Sequence, residues 1–85
     1  MKEFSYKITD EVGIHARPAG LLVKASNGFG SEIKLHSGEK AADAKKIFSV
    51  MGLGVKKGDE VRITVEGDDE ERAAEELKRF FEENL

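Results

Sequence analysis

The period of the apolar residues changes repeatedly along this chain, and that succession limits the possible folds more than any other feature. Apolar side chains occupy every second position in three segments, which is typical of a β-strand with one buried face, and a turn signal after the second of these predicts a further strand. They recur every three or four residues in three further segments, which is typical of an amphipathic helix. The order is strand, helix, strand, strand, helix, strand, helix, and it predicts an α+β domain.

The four predicted strands are short, and in three of them polar residues separate the apolar positions. The first strand ends near Thr9, the second covers Ser31 to Ser37, the third covers Glu39 to Ala42, and the fourth covers Glu60 to Glu66. A turn at Ser37-Gly38 joins the second and third strands as a hairpin. Because the strands have a polar side, we expect a four-stranded antiparallel sheet with one face exposed to solvent.

The three predicted helices should cover the other face of that sheet. The first begins around Ala16 and ends at Asn27-Gly28, and the second covers Ala44 to Met51. The third follows Asp68 or Asp69, either of which can cap it. Its apolar stripe consists of Ala73, Ala74, Leu77, Phe80 and Phe81. The expected architecture is an open-faced β-sandwich of order βαββαβα, with three helices on one face of the sheet.

Length and composition narrow the class of protein. A chain of 85 residues has room for one domain, residues 1–85, and because it has no cysteine its apolar core must stabilise it. The net charge of -3 disfavours general binding to nucleic acid or to an anionic lipid surface. The N-terminal segment lacks the basic start and apolar run of a secretory signal. We therefore expect a cytoplasmic protein that neither binds nucleic acid nor inserts into a membrane.

The chain contains two histidines, and only one of them has a placement that predicts chemistry. His36 is out of phase with Ile33 and Leu35, so we expect it to be an ordinary surface residue on the polar side of its strand. His15 lies between a turn and the first residues of a helix, directly before Ala16-Arg17-Pro18. A metal site shared by the two histidines is not predicted, because no further ligands lie at a suitable spacing.

A helix start beside a histidine can stabilise a phosphoryl group. The first N–H groups of a helix lack intrahelical partners, so those of Ala16 and Arg17 are available to an anion. Pro18 presets the helical φ, and the Arg17 guanidinium can add a charged hydrogen bond. A neutral ring nitrogen of His15 is then a suitable nucleophile for phosphorus. The same placement is compatible with His15 as a simple helix cap, and both hypotheses stay open on this reasoning.

The run GIHARPA, from Gly13 to Ala19, resembles the active-site signature of the HPr family, the histidine-containing phosphocarriers of the phosphoenolpyruvate-dependent sugar phosphotransferase system. The resemblance covers essentially the whole chain, including the stretch SEIKLHSGEKAADAKKIFSVMGLGVKKGD. It implies that His15 accepts a phosphoryl group on Nδ1 from enzyme I and passes it to an enzyme IIA domain, while Arg17 steadies the phosphate. It implies no cofactor, and the protein would be a phosphoryl-transfer intermediate, not a stand-alone enzyme. We expect a monomer, because one face must serve two successive partners.

The resemblance also implies a partner-docking surface around the first two helices. Its members would be Gly20, Leu21, Lys24, Asn27, Ile47, Phe48, Met51 and Gly52. The residue pattern independently supports Phe48, because the other apolar residues of so short a helix cannot share one buried stripe with it. Core packing is the alternative role for Val50 and Met51.

Three lysines near this surface raise separate hypotheses. Lys24, Lys45 and Lys46 could attract acidic partners, or they could simply form a solvated face. Lys46 also stands where Gram-positive relatives carry a serine that a dedicated kinase phosphorylates. Lysine accepts no phosphoryl group there, and its positive charge opposes the dipole at a helix start. We therefore predict no regulatory serine, and we do not transfer that role to Ser49.

A second class of function stays open on the sequence alone. The chain could be an HPr-type regulatory module, or a specialised paralogue of the nitrogen type, that docks on a transcriptional regulator or a metabolic enzyme. The presence of both His15 and Arg17 favours the phosphocarrier. The sugar served and the particular enzyme IIA are not encoded in this chain, because other proteins select the sugar.

Overall fold

Four strands and three helices follow one another in the order that the sequence predicts. The computed structural model describes residues 1–85. Its strands are β1 (Lys2–Lys7), β2 (Glu32–Ser37), β3 (Lys40–Asp43) and β4 (Glu60–Glu66). Its helices are α1 (Ala16–Asn27), α2 (Ile47–Met51) and α3 (Glu70–Asn84). The predicted α+β class and the order βαββαβα are confirmed.

The strands form one antiparallel sheet in the order β1-β4-β2-β3. Ile63 of the inner strand β4 stands opposite Phe4 of β1 on one side and opposite Leu35 of β2 on the other. These residues therefore share one face of the sheet, which is the face that the helices cover. The opposite face carries the polar residues of the alternating pattern and is open to solvent.

The core lies between the helices and the inner face of the sheet. Phe81 of α3 is fully buried, and its ring contacts Phe4, Tyr6 and Phe80 with ring centroids 6.0, 5.6 and 6.0 Å away. Each fully buried side chain of this size contributes about 1.5–3 kcal/mol, so the aromatic cluster anchors α3 on β1. None of the three helices combines the length and the apolar character needed to cross a bilayer.

Helix α2 begins three residues later than the predicted start at Ala44. The N–H of Ala44 donates to the Ile33 carbonyl oxygen at 2.9 Å, which ties this residue to the sheet. The next two N–H groups donate to Asp43, that of Lys45 to the carboxylate at 2.9 Å and that of Lys46 to the carbonyl at 3.0 Å. Because Asp43 takes these donors, the segment forms a turn instead of a first helical turn.

The predicted bounds of three strands were wrong by one or two residues. β1 ends at Lys7, because the N–H of Thr9 already donates to the Leu85 carbonyl oxygen at 2.6 Å and the chain leaves the sheet. β2 begins one residue later than predicted and β3 lies one residue further along, whereas β4 has the predicted bounds. Such shifts leave the alternation of buried and exposed side chains unchanged.

His36 is less exposed than the sequence predicts. It lies half-buried on the open face of the sheet, with its Nε2 atom 3.1 Å from the hydroxyl oxygen of Thr64 on the neighbouring strand. Burial lowers the pKa of His36, and the cations of Arg62 and Lys34 lower it further.

Asp69 stands at the predicted N-cap position of α3, but its carboxylate does not cap that helix. It accepts hydrogen bonds from the N–H of Gly30 at 2.9 Å, from the N–H of Ser31 at 3.0 Å and from the Ser31 hydroxyl. The start of α3 is thereby tied to the loop between α1 and β2. The hydrogen bond from the Ser31 hydroxyl is the main cause of a lowered pKa at Asp69, and those from the backbone add to it.

Replacing Asp69 with asparagine should destabilise the fold at neutral pH and have less effect in acid. Because the folded pKa of Asp69 lies below its ordinary value, the unfolded chain takes up this proton at a higher pH than the folded chain does. The contribution of the carboxylate is therefore complete above the ordinary pKa and is lost as the pH falls through the lowered one. Urea unfolding of the wild type and Asp69→Asn across this range measures the difference in the free energy of unfolding.

Asp68 provides the matched control, because it is the exposed neighbour in the same turn. Asp68→Asn should leave the stability nearly unchanged at every pH. A difference between wild type and Asp69→Asn that stays constant from neutral pH into strong acid would contradict the assignment.

Candidate functional site

His15 is the N-cap residue of α1, and its side chain is not used to cap the helix. Its backbone is extended, with φ -107° and ψ -171°, and its carbonyl oxygen accepts a hydrogen bond from the N–H of Ala19 at 2.9 Å. The imidazole makes no capping hydrogen bond, and 41% of the side chain is exposed. The ring is therefore accessible, and the hypothesis of a simple side-chain cap is not supported.

The segment before α1 is held by contacts with distant parts of the chain. Gly13 has a φ of +76°, and the N–H of the next residue, Ile14, donates to the Val55 carbonyl oxygen at 3.1 Å. On the surface, Glu11 and Lys57 form an ion pair at 2.8 Å. Residues 55–57 thus support the segment from one side, and this fixes where the His15 ring emerges.

The start of α1 presents unpaired donors beside this ring. The N–H groups of Ala16 and Arg17 donate to no carbonyl or side chain, and Pro18 has no N–H group. No acidic residue lies in the first turn of the helix. The end of a helix dipole with two unpaired N–H groups attracts an anion, and the exposed Arg17 side chain adds a full positive charge.

A shallow surface depression joins the predicted chemical residues. It is lined by Asp10, His15, Arg17, Pro18, Leu21 and Asn84. Arg17 and Pro18, two of the three residues predicted to stabilise a phosphate, therefore lie beside Leu21, a member of the predicted docking surface. Asn84 belongs to α3, so the end of the last helix reaches the start of the first.

Asp10 and Asn84 were not predicted from the sequence. The Asp10 carboxylate lies 3.7 Å from Nε2 of His15, and the same oxygen, Oδ2, accepts the N–H of Val12 at 3.1 Å. An aspartate that binds the N–H two residues further on forms an Asx turn, which is common in polar segments of this kind. That preference was the one local signal for Asp10, whereas Asn84 comes from a distant helix and has none.

Exposed apolar side chains lie on α1 and α2. Phe48 is 85% exposed, Leu21 43% and Met51 38%, while Val50 is fully buried. Thus Val50 has the core role that was the alternative for it, and Met51 does not. Gly20 of α1 lies beside Ile47 of α2, since a Cβ atom added there would be 3.8 Å from Cδ1 of Ile47.

The remaining residues of the predicted docking surface differ in how firmly they are held. Asn27 ties the two helices together, because its Nδ2 atom donates to the carbonyl oxygens of Val23 at 2.9 Å and Lys45 at 3.4 Å. Lys24 and Gly52 are exposed. The Lys45 ammonium donates to the Phe29 carbonyl oxygen at 2.8 Å, so it acts as a structural link and is less available to a partner.

Lys46 is the N-cap residue of α2 and makes no capping hydrogen bond with its side chain. Its side chain is exposed. A positive charge therefore stands where the resemblance places a serine in other members.

The fold is an open-faced sandwich, and an accessible histidine lies at the start of a helix whose unpaired N–H groups attract an anion. Together these features define the class of small histidine phosphocarriers. Residues 2–83 match the PTS-HPr family, described as the PTS HPr component phosphorylation site. This chain belongs to the HPr family.

Individual relatives agree with that assignment over nearly the full length. The phosphocarrier protein HPr of Lysinibacillus sphaericus is 43% identical over 83 residues, which are 98% of this chain and 94% of that protein. The crystal structure of HPr-C-His from Thermoanaerobacter tengcongensis is 41% identical with a TM-score of 0.92, covering 96% of this chain and 92% of that one. A histidine-containing phosphocarrier protein of Mycoplasma is 39% identical with a TM-score of 0.91, covering 93% of this chain and 90% of that one.

Proposed function

We propose that this protein accepts a phosphoryl group on Nδ1 of His15 from phosphorylated enzyme I and passes it to an enzyme IIA domain during sugar uptake. One observation carries the proposal: the accessible His15 ring stands beside the unpaired N–H groups of Ala16 and Arg17. Membership of the HPr family supports the same chemistry. The presence of His15 and Arg17 favours this function over that of a purely regulatory module.

The transfer needs little chemistry from the protein itself. The lone pair of Nδ1 attacks phosphorus while the bond from phosphorus to the donor breaks, and the reverse exchange delivers the group to the acceptor. Both partners must reach the ring, and the exposure of His15 allows this. A shallow site that holds the phosphoryl group lightly suits a carrier, because tight binding of the intermediate would slow its release.

The helix start and Arg17 would stabilise the phosphoryl oxygens while the group is bound. The N–H groups of Ala16 and Arg17 supply hydrogen bonds, and the dipole of α1 favours negative charge at this end. The exposed Arg17 guanidinium adds a charged hydrogen bond from a flexible side chain. Pro18 contributes by fixing the first turn without competing for the anion.

Phosphorylation by enzyme I tests the proposal directly. The protein is incubated with phosphoenolpyruvate and enzyme I, and then examined by intact-mass measurement and phosphorus NMR. We expect one phosphoryl group that is labile in acid and stable in base, as a phosphohistidine is. No phosphorylation by an enzyme I that is active on another HPr would refute the proposal.

The partners would dock on the exposed apolar residues beside this site. Leu21, Phe48 and Met51 are the exposed apolar side chains of the predicted docking surface on α1 and α2, and Leu21 also lines the depression that contains His15. A partner that covers this surface would thus place its own reactive histidine near Nδ1. Phe48 is the natural anchor, because aromatic residues dominate the energy of many interfaces and this ring has no packing role in the free protein. Since enzyme I and enzyme IIA would use this one face in turn, we propose that the protein acts as a monomer.

Replacing Phe48 with alanine should weaken docking without weakening the fold. We expect the affinity for enzyme I to fall about 10-fold to 100-fold, the range for an aromatic anchor. The free energy of unfolding should change by less than about 0.5 kcal/mol, because the side chain is 85% exposed. Titration calorimetry with enzyme I and urea unfolding measure the two quantities.

Ser49→Ala is the matched control, since Ser49 is the exposed next residue of the same short helix. It should bind enzyme I as the wild type does. Equal affinity of Phe48→Ala and Ser49→Ala would exclude Phe48 as the anchor.

Lys46 bears on regulation of this carrier. The regulatory serine of Gram-positive relatives has no counterpart at this position, and the lysine places a permanent positive charge at the N-cap of α2. We propose that this protein escapes control by the serine kinase at the start of α2.

A further inference from the structure

We propose that Asp10 is a positioning residue for the phosphoryl transfer, and that its carboxylate keeps the proton of the His15 ring on Nε2 so that Nδ1 presents the attacking lone pair. The inference deepens the proposed function and rests on it. The juxtaposition that carries it is the distance of 3.7 Å between Oδ2 of Asp10 and Nε2 of His15.

The position of the Asp10 carboxylate is fixed by the backbone around it. Its Oδ2 atom accepts the N–H of Val12 at 3.1 Å, and its own N–H donates to the Leu85 carbonyl oxygen at 2.8 Å. The side chain is only 35% exposed. The carboxylate therefore stands at a defined place beside the ring, and the ring nitrogen at which it makes this contact is Nε2.

A neutral imidazole carries its proton on one of two nitrogens, and nearby charge decides which. A carboxylate attracts the positive hydrogen of an N–H group, so the form with the proton on Nε2 is favoured when the carboxylate lies beside Nε2. Nδ1 then holds the lone pair. The nitrogen that the HPr family phosphorylates is thus the one that the Asp10 position leaves unprotonated.

The same contact serves both directions of the exchange. When Nδ1 bonds to phosphorus and the donor bond breaks, the ring has phosphorus on Nδ1 and a proton on Nε2, and it carries a positive charge. The negative charge of Asp10 offsets that charge. When the phosphoryl group is transferred to the acceptor, the Nδ1–phosphorus bond breaks and its electron pair stays on Nδ1. The leaving group is then a neutral imidazole, which leaves more easily than an imidazolate that has lost the Nε2 proton.

Two charged side chains line the depression with His15, those of Asp10 and Arg17, and α3 contributes the neutral Asn84. Arg17 follows on the helix side, where it would meet the phosphate. Glu11 is the next acidic residue in the segment, and its carboxylate pairs with Lys57 at 2.8 Å.

Nitrogen NMR of the unphosphorylated, labelled protein tests the proton position without any partner. In the wild type we expect the form with the proton on Nε2 to predominate at a pH where the ring is neutral. Asp10→Asn keeps an oxygen for the Val12 N–H but removes the charge, and Asp10→Ser does the same with a hydroxyl. In both variants the ratio of the form with the proton on Nε2 to the form with the proton on Nδ1 should fall at least about threefold.

The matched control is Glu11→Gln, which removes one negative charge from the same segment. It should leave the ratio at the wild-type value, because Glu11 faces Lys57. The same ratio in the wild type, Asp10→Asn and Asp10→Ser would overturn the role of Asp10, and so would an equal change in Glu11→Gln.

The pH dependence of phosphoryl donation gives a second readout. Donation from the phosphorylated protein to an enzyme IIA should decline at a lower pH in Asp10→Asn than in the wild type, because the Nε2 proton is held less firmly. An unchanged pH profile would overturn the inference while the carrier function stood. If enzyme I phosphorylates none of the proteins, the proposed function fails, and the nitrogen NMR ratio still decides whether Asp10 sets the proton position.

Discussion

His15→Ala is expected to lose phosphoryl acceptance completely while it keeps the fold. The substitution removes the attacking nitrogen. The other histidine, His36, does not replace it, because it lies on the open face of the sheet and is hydrogen-bonded to the Thr64 hydroxyl. The backbone contacts of residue 15 need no imidazole, since its N–H donates to Gly13 and its carbonyl oxygen accepts from Ala19. We expect the free energy of unfolding to change by no more than about 1 kcal/mol. Phosphorus NMR after incubation with enzyme I and phosphoenolpyruvate measures acceptance.

His36→Ala separates the loss of this nucleophile from the loss of any histidine. It should be phosphorylated at the wild-type rate, because its ring points away from the helix start. Acceptance by His15→Ala at a rate close to that of His36→Ala would show that the phosphoryl group resides elsewhere. Urea unfolding of both variants ensures that a loss of acceptance is not a loss of structure.

The architecture was predictable because it depends on local periods. Side chains that alternate in β4 bury Val61, Ile63 and Val65 wherever the strand begins, and the stripe of α3 buries Phe81 in the same way. Position 15 was also predictable, because Pro18 favours the first turn of a helix and so marks where α1 begins. These signals lie within a few residues of the feature that they predict.

The polar links were not predictable because their partners lie far along the chain. Asp69 has the sequence signature of a helix cap, yet its carboxylate binds Gly30 and Ser31, which lie 39 and 38 residues earlier in the chain. Lys45 has the character of a surface cation, yet it donates to the Phe29 carbonyl oxygen. A carboxylate or an ammonium group binds whichever partner the fold brings near, and the local sequence does not identify a partner that is distant in the chain. Asp10 belongs to this group, since its position depends on Leu85.

Gly13→Ala is expected to cause the largest loss of stability together with a loss of function. A Cβ atom at this position would lie 2.3 Å from the Val55 carbonyl oxygen and 2.7 Å from Cα of Lys56. Both are backbone atoms, which cannot move away by a change of rotamer as a side chain can, so the segment before α1 must move. Strain at a φ of +76° adds about 1–2 kcal/mol and the collision about 1–3 kcal/mol, which predicts a fall of about 2–5 kcal/mol in the free energy of unfolding.

Movement of this segment should also displace the His15 ring. The collision should break the hydrogen bond of 3.1 Å from the Ile14 N–H to the Val55 carbonyl oxygen. A shift of about 1 Å at a reacting group can reduce a rate about 100-fold, so phosphorylation of the folded variant should slow by a similar factor. The rate of phosphorylation by enzyme I is measured at a temperature where unfolding curves show the variant to be folded.

Gly54→Ala distinguishes the collision from the strain of the backbone conformation. Gly54 has a φ of +65°, close to that of Gly13, but no atom lies within 4 Å of the added Cβ position. Its replacement should therefore reduce stability by about 1–2 kcal/mol, the strain alone, and leave the phosphorylation rate unchanged. If Gly13→Ala were no less stable than Gly54→Ala and were phosphorylated as fast, the contact with residues 55–56 would not be what holds His15 in place.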